Sequence, residues 1–129
     1  MMSYRPIMDL AVDIARSSPS RKRVGAILLN KGKIVSTGVN QETKSHPLQA
    51  KFAKMVGLDE KIYLHAEMSA LVKSRSDCDT IVVARLGGHS GEELRNSRPC
   101  AICSLALKQA GVKHVHYSTD DGFLYQYVI

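Results

Sequence analysis

Tryptophan is missing from this 129-residue sequence, phenylalanine occurs twice, and aromatic side chains make up only 5% of it. Proteins that hold single-stranded nucleic acid commonly stack bases on aromatic rings, so the composition weighs against such a platform. No apolar run approaches the roughly 20 residues of a membrane span, and no membrane partner is expected. Cysteine is sparse and odd in number: Cys78 stands alone, and Cys100 and Cys103 form a Cys-x-x-Cys. That set is no disulfide framework; it makes a reducing cytoplasm the expected compartment and directs attention to metal or redox chemistry at the close pair. Internal repeats, low-complexity tracts and linkers are lacking too, so a single domain is expected over residues 1–129. The opening Met1-Met2-Ser3-Tyr4-Arg5-Pro6 leads into a stretch carrying Arg and acids, which is unlike a secretory signal.

What is present is ordinary globular material, 44% apolar and 23% charged. Eighteen basic against twelve acidic side chains leave a formal charge of +6. That balance favours an anionic partner, either a phosphorylated small molecule or nucleic acid.

Ile7, Leu10, Ala11, Ile14 and Ala15 recur at helical spacing, with Ser3 placed as an N-cap and Pro6 in the first turn. The Ser17-Ser18-Pro19-Ser20 cluster should end that helix. Val24 to Leu29 and Ile34 to Val39 read as strands joined by a tight turn at Asn30-Lys31-Gly32-Lys33. The first is apolar at nearly every position and belongs inside the sheet, covered on both faces. Residues 41–62 read as a polar connection with a short helix over Pro47 to Val56 closed by Gly57. A helix from Leu64 to Lys73, a strand from Asp79 to Leu86 and a glycine-bearing loop from Gly87 to Arg98 follow. Pro99 then opens a helix that ends at Gly111. Strands Val112 to Ser118 and Phe123 to Val128 are too close in sequence for a parallel crossover and must form an antiparallel hairpin if they are neighbours. The expected fold is α/β, a three-layer α/β/α sandwich on a five-stranded mixed sheet.

Two segments carry chemistry: His65-Ala66-Glu67 and Pro99-Cys100-Ala101-Ile102-Cys103, each at the start of a helix. One imidazole and two thiolates suit Zn²⁺ in a tetrahedral site with the fourth position open to water. Cys100 and Cys103 are i, i+3 on one helical face, and a helix N-terminus favours the thiolate. Glu67 lies two positions past His65, close to the metal but differently directed, as suits a base that moves protons between water, a ring nitrogen and a leaving amine.

His-x-Glu followed by Pro-Cys-x-x-Cys resembles the signature of the zinc-dependent cytidine and deoxycytidylate deaminase superfamily. The order of elements resembles that superfamily over nearly the whole chain, as do Thr37-Gly38-Val39-Asn40 and Val24-Gly25-Ala26. The resemblance implies that His65, Cys100 and Cys103 bind zinc and that Glu67 shuttles protons. It further implies that the Ala66 N–H holds the base carbonyl, that Asn40 binds the sugar, and that Ala26 lies against the base. Related deaminases assemble into oligomers, so a homo-oligomer is implied as well.

Departures from the pattern bear on the substrate. The 31 residues between Glu67 and Pro99 make a long spacing, and Arg98 stands where a small residue or an acid is usual. An antiparallel closing hairpin resembles the free-nucleoside deaminases and some bacterial deaminase toxins, whereas deoxycytidylate and polynucleotide enzymes usually run these strands parallel. Nucleoside enzymes, however, typically carry Cys where this chain has His65. The leading expectation is hydrolytic deamination of a cytosine nucleotide or nucleoside, the basic balance favouring a phosphorylated substrate. A deaminase acting on single-stranded DNA or tRNA stands second, and a non-catalytic zinc module that binds nucleotide or protein stands third.

Overall fold

The computed structural model describes residues 4–19, 22–58, 63–74 and 76–127. Ser3, Ser20 and Val128, each part of an expectation above, lie outside them. The first helix, α1 (Arg5–Arg16), has Pro6 in its opening turn and stops where the Ser17 hydroxyl donates to Ile14 O, 2.6 Å away. Its buried stripe runs through Ala11 and Ala15 with Ile7, Met8, Val12 and Ile14, while Leu10 faces outward at 37% exposure. The sheet-facing arc is therefore narrower than the apolar spacing suggests.

β1 (Arg23–Asn30) and β2 (Lys33–Val39) form an antiparallel hairpin. The turn between them places Lys31 at φ 50° and Gly32 at φ 82°, the paired left-handed conformation a two-residue hairpin requires. A small two-stranded sheet pairs β3 (Gln41–Ser45) with β4 (Tyr63–Leu64), and α2 (Pro47–Met55) lies between them. β3 falls in what the sequence presented as a polar connection, and β4 takes up Leu64, so that the next helix begins at Ala66 and not at Leu64. His46 is the N-cap of α2, its Nδ1 accepting from Leu48 N at 3.0 Å.

Next come α3 (Ala66–Lys73), β5 (Thr80–Gly87), β6 (Glu93–Arg95), α4 (Ala101–Gln109), β7 (His114–Thr119) and β8 (Gly122–Tyr127). The main sheet runs β2-β1-β5-β7-β8, with β6 adding to the end of β5. Among the described residues only β5 and β7 pair in parallel; β7 and β8 form the expected antiparallel hairpin. β6 corrects the reading of 87–98 as loop alone, because its three residues pair with Arg85 to Gly87 beyond the reach of β7.

Alternation along β1 and β5 builds two cores. Ala26, Leu28, Ile81 and Val83 face α3 and α4, while Ile27, Leu29, Val82 and Ala84 face α1. Each fully buried Leu or Ile there contributes about 1.5–3 kcal/mol. A third cluster joins Phe52 and Ala53 of α2 to Met68 of α3 and Ile102 and Ala106 of α4. Helices thus cover both faces of a mixed sheet, the three-layer arrangement expected. Two glycines set how closely the layers approach. A Cβ on Gly25 would stand 2.5 Å from Ala15 N, and one on Gly38 would stand 2.4 Å from Ala66 O.

Candidate active site

Two helix N-termini meet beside the end of β5. His65 is the N-cap of α3 and Cys100 the N-cap of α4, both in extended backbone conformation. His65 O accepts from Ser69 N and Cys100 O from Ser104 N, each at 2.8 Å. Pro99 thus precedes the cap rather than opening the helix, and Cys103 alone of the two cysteines sits within the first turn. The consequence for the ligands is small, since N-cap and third helical residue still face the same way.

His65 Nδ1 lies 3.5 Å from Cys100 Sγ and 3.3 Å from Cys103 Sγ, and the three ligand atoms all fall within 4.8 Å of one another. Ordinary zinc–nitrogen and zinc–sulfur bond lengths at a tetrahedral angle put N and S roughly 3.6 Å apart. The donor set therefore fits zinc in type and spacing. Cys103 is buried and Cys100 is open to the cleft. A hydrogen bond from Cys103 lowers the Cys100 thiol to about 4, while that bond and burial push Cys103 well up.

Glu67, in the first turn of α3, is only 6% exposed. Burial holds its carboxyl above the ordinary carboxylate value, partly opposed by a backbone hydrogen bond and by His65. A carboxyl poised in this way, next to a metal donor set, is equipped to accept and return a proton.

These groups open onto a cleft of about 360 Å³. One wall carries His65, Ala66 and Glu67. Asn96, Ser97, Arg98 and Cys100 line the cleft too, as do Lys22, Val24, Asn40 and Arg85. Asn40 Oδ1 accepts from Val24 N at 3.0 Å and from the Ser18 hydroxyl at 2.6 Å, and its amide nitrogen donates to Lys22 O. The Asn40 side chain therefore fastens the segment that enters β1 as well as bordering the cleft. Ala26 is in a different place from the rest of the expected set. It is fully buried in the core with Ala66, and Val24, two residues earlier on the same face of β1, reaches the cleft.

Sequence reading passed over Lys22, Arg85, Asn96 and Ser97. Arg85 did carry a signal: it is the one charged side chain of Thr80–Gly87, following Ile81-Val82-Val83-Ala84, all of them fully buried.

Comparison with known proteins places this geometry. The model of the cytidine and deoxycytidylate deaminase zinc-binding region matches residues 1–119. The dCMP deaminase of cyanophage S-TIM5 in complex with dCMP and dUMP is similar at 28% identity and a TM-score of 0.59, over 91% of this chain and 83% of that one. Its apo form gives a TM-score of 0.55 over 90% and 84% of the two chains, again at 28% identity. The cytidine deaminase of Mycobacterium leprae shares the fold with a TM-score of 0.59, covering 97% of this chain and 94% of that one at 21% identity. No curated protein gives a significant match. With the matched region running from the first residue through β7 and a donor set that fits zinc, the chain belongs to the cytidine and deoxycytidylate deaminase zinc-binding family.

Proposed function

We propose that this protein is a hydrolytic deaminase that converts the cytosine of a nucleotide or nucleoside to uracil and releases ammonia. The observation that carries the reading is the buried Glu67 carboxyl beside the His65, Cys100 and Cys103 donor set, at the wall of a cleft. The dCMP deaminase similar to this chain holds dCMP and dUMP, which supports a pyrimidine substrate here.

His65, Cys100 and Cys103 would hold the metal, and the chemistry zinc supplies when bound is Lewis-acid activation of water. Glu67 takes the proton that water gives up and delivers it to the ring nitrogen next to the carbon under attack. It then moves a second proton to the exocyclic amine, which leaves as ammonia as the carbon–nitrogen bond breaks. The raised carboxyl suits both directions of transfer, because it accepts a proton readily and holds it until the amine departs. The Ala66 N–H, in the first turn of α3, donates to the base carbonyl, aided by the positive end of the helix. Asn40 contributes the sugar contact.

A homo-oligomer in the cytoplasm completes the proposal. Leu124, Tyr125 and Tyr127, more than half exposed on edge strand β8, support an assembly surface, and sedimentation velocity tests it.

The decisive test is ammonia release and uracil formation by the zinc-loaded protein on cytidine, deoxycytidine and their monophosphates. Turnover of none of them, with stoichiometric zinc bound, would overturn the proposal.

A further inference from the structure

Gln49 is a polar residue on the apolar face of a helix. It lies in the first turn of α2, where Gln49, Phe52 and Ala53 fall at i, i+3 and i+4 and are the buried residues. Phe52 and Ala53 pack with Met68 of α3 and with Ile102 and Ala106 of α4, the two helices whose N-termini carry the metal donors. Gln49 is itself fully buried. A carboxamide taken out of water costs stability unless it is hydrogen-bonded. Gln49 Oε1 accepts from His65 N at 3.4 Å.

That N–H belongs to the N-cap of α3, whose side chain places Nδ1 beside Cys100 Sγ and Cys103 Sγ. In a capping box the N-cap N–H is satisfied from within the helix, by a Glu or Gln at the third helical position reaching back. The third position of α3 is Met68, which has no oxygen to offer. Gln49 makes the equivalent contact from another helix. His65 O accepts from Ser69 N at 2.8 Å, so both main-chain polar groups of His65 are held. The imidazole is thus carried on a fixed main chain. The next peptide contains the Ala66 N–H, and the same contact governs where that donor points.

We propose that Gln49 is a positioning residue of the metal centre: its carboxamide caps the His65 N–H from α2 and fixes the direction from which the imidazole meets the metal. Partners behind a metal ligand change metal affinity or activity by about 10- to 100-fold when they are removed. The effect of Gln49 on zinc rests on the donor set alone, and its effect on turnover rests on the deaminase reading.

The test uses the zinc-loaded full chain and its Gln49→Met, Gln49→Glu and Phe52→Leu variants. The first keeps the length of the side chain and removes the acceptor, the second keeps an acceptor oxygen, and the third loosens the same helix with the carboxamide in place. Competition with a chromogenic chelator reads zinc affinity, and the visible d–d bands after cobalt(II) replaces zinc read the ligand geometry. Gln49→Met should bind zinc about 10- to 100-fold more weakly and shift the cobalt bands. Gln49→Glu should stay within about threefold of the wild type, because the acceptor survives. Phe52→Leu should lower the melting temperature while leaving zinc affinity and cobalt bands unchanged. Unaltered zinc affinity and cobalt bands in Gln49→Met would overturn the proposal. So would Gln49→Glu losing as much as Gln49→Met, or Phe52→Leu moving both readouts as far. Hydrogen exchange on the wild type needs no variant: the His65 amide should be protected, and exchange at the rate of an open amide would equally overturn the proposal. Failure of the deaminase reading shows separately, as no turnover of any cytosine nucleoside or nucleotide by a protein whose zinc affinity still depends on Gln49.

Discussion

Ser97 and Ser118 clasp each other through main chain and side chain at once. Ser97 N donates to Ser118 O at 2.9 Å, Ser118 N donates to Ser97 Oγ at 2.8 Å, and the two hydroxyls are 2.9 Å apart. Each hydroxyl then reaches a different strand, Ser97 Oγ donating to Val83 O and Ser118 Oγ to Arg95 O. Both residues are buried, and the clasp joins β5, β6 and β7 immediately ahead of Cys100.

Ser97→Ala should destabilise the fold by about 1–3 kcal/mol, because Ser118 N and Val83 O lose a buried partner. The Arg98-Pro99-Cys100 segment also loses its anchor, so zinc affinity should fall with stability. Denaturant melts and competition with a chromogenic chelator measure the two effects. Unchanged zinc affinity in a destabilised variant would restrict the clasp to a structural role.

Glu67→Gln keeps the size and burial of the side chain while removing its ability to carry a proton. Zinc content by elemental analysis should stay stoichiometric, and kcat should drop by about 10²–10⁴. His65→Ala, Cys100→Ser and Cys103→Ser should lose zinc as well as turnover. A Glu67→Gln protein that retained turnover would remove the glutamate from the mechanism.

Removing zinc should lower the melting temperature of the wild type, because a ligand held by the folded state alone stabilises it by mass action. The effect is about 2.7 kcal/mol at a free concentration a hundredfold above Kd. Calorimetry before and after treatment with chelator checks this, and added zinc should restore the transition.

Gly38→Ala should be severely destabilising, by about 3 kcal/mol or more, since the methyl would overlap the backbone of α3 at Ala66 and Ala70. Neither partner is a side chain that can turn aside. Gly25→Ala should behave alike against the backbone of α1 at Ala11 and Ala15. Urea midpoints give the ranking.

His116 should make stability depend on pH. Burial, and secondarily the charge of His114, lowers its pKa below the ordinary 6.5. The ring stacks on Tyr4 with centroids 4.3 Å apart and lies 5.1 Å from Tyr125. The unfolded chain takes up a proton at a pH where the folded chain stays neutral, so this contribution is complete above about 6.5 and is lost as pH falls through the lower folded value. Urea midpoints between pH 5 and 8 should decline on the acid side, and His116→Asn should flatten that decline.

Elements with a local cause were legible in the sequence. β1 announced itself by an unbroken apolar run, the closing hairpin by its short turn, and α2 by Pro47 and Gly57. β3, β4 and β6 were not legible, since polar stretches such as Gln41-Glu42-Thr43-Lys44-Ser45 become strands only when a distant partner offers its edge. The metal donors were legible because chelation demands particular residue types at particular spacings. Arg85 and Ser97 were not recognised as part of the site. Which side chain ends up at the mouth of a cleft depends on strand register, here Val24 opposite Arg85. The same dependence explains Ala26, which is one pleat deeper than Val24 and so is covered by α3.

The order of strands also limits when this protein can become itself. β1 and β2 are neighbours in the chain and can pair as soon as both exist, yet the other edge of β1 is filled by β5, about fifty residues later. During synthesis from the N-terminus, β1, with its run of buried apolar residues, must therefore wait half-paired for its second neighbour. Cys100 and Cys103 arrive later still, so metal capture can only lock a sheet that is already closing and cannot start it. Such an interval, with an open apolar edge and no metal to shorten it, is where a chaperone or a slow ribosome would most affect the yield.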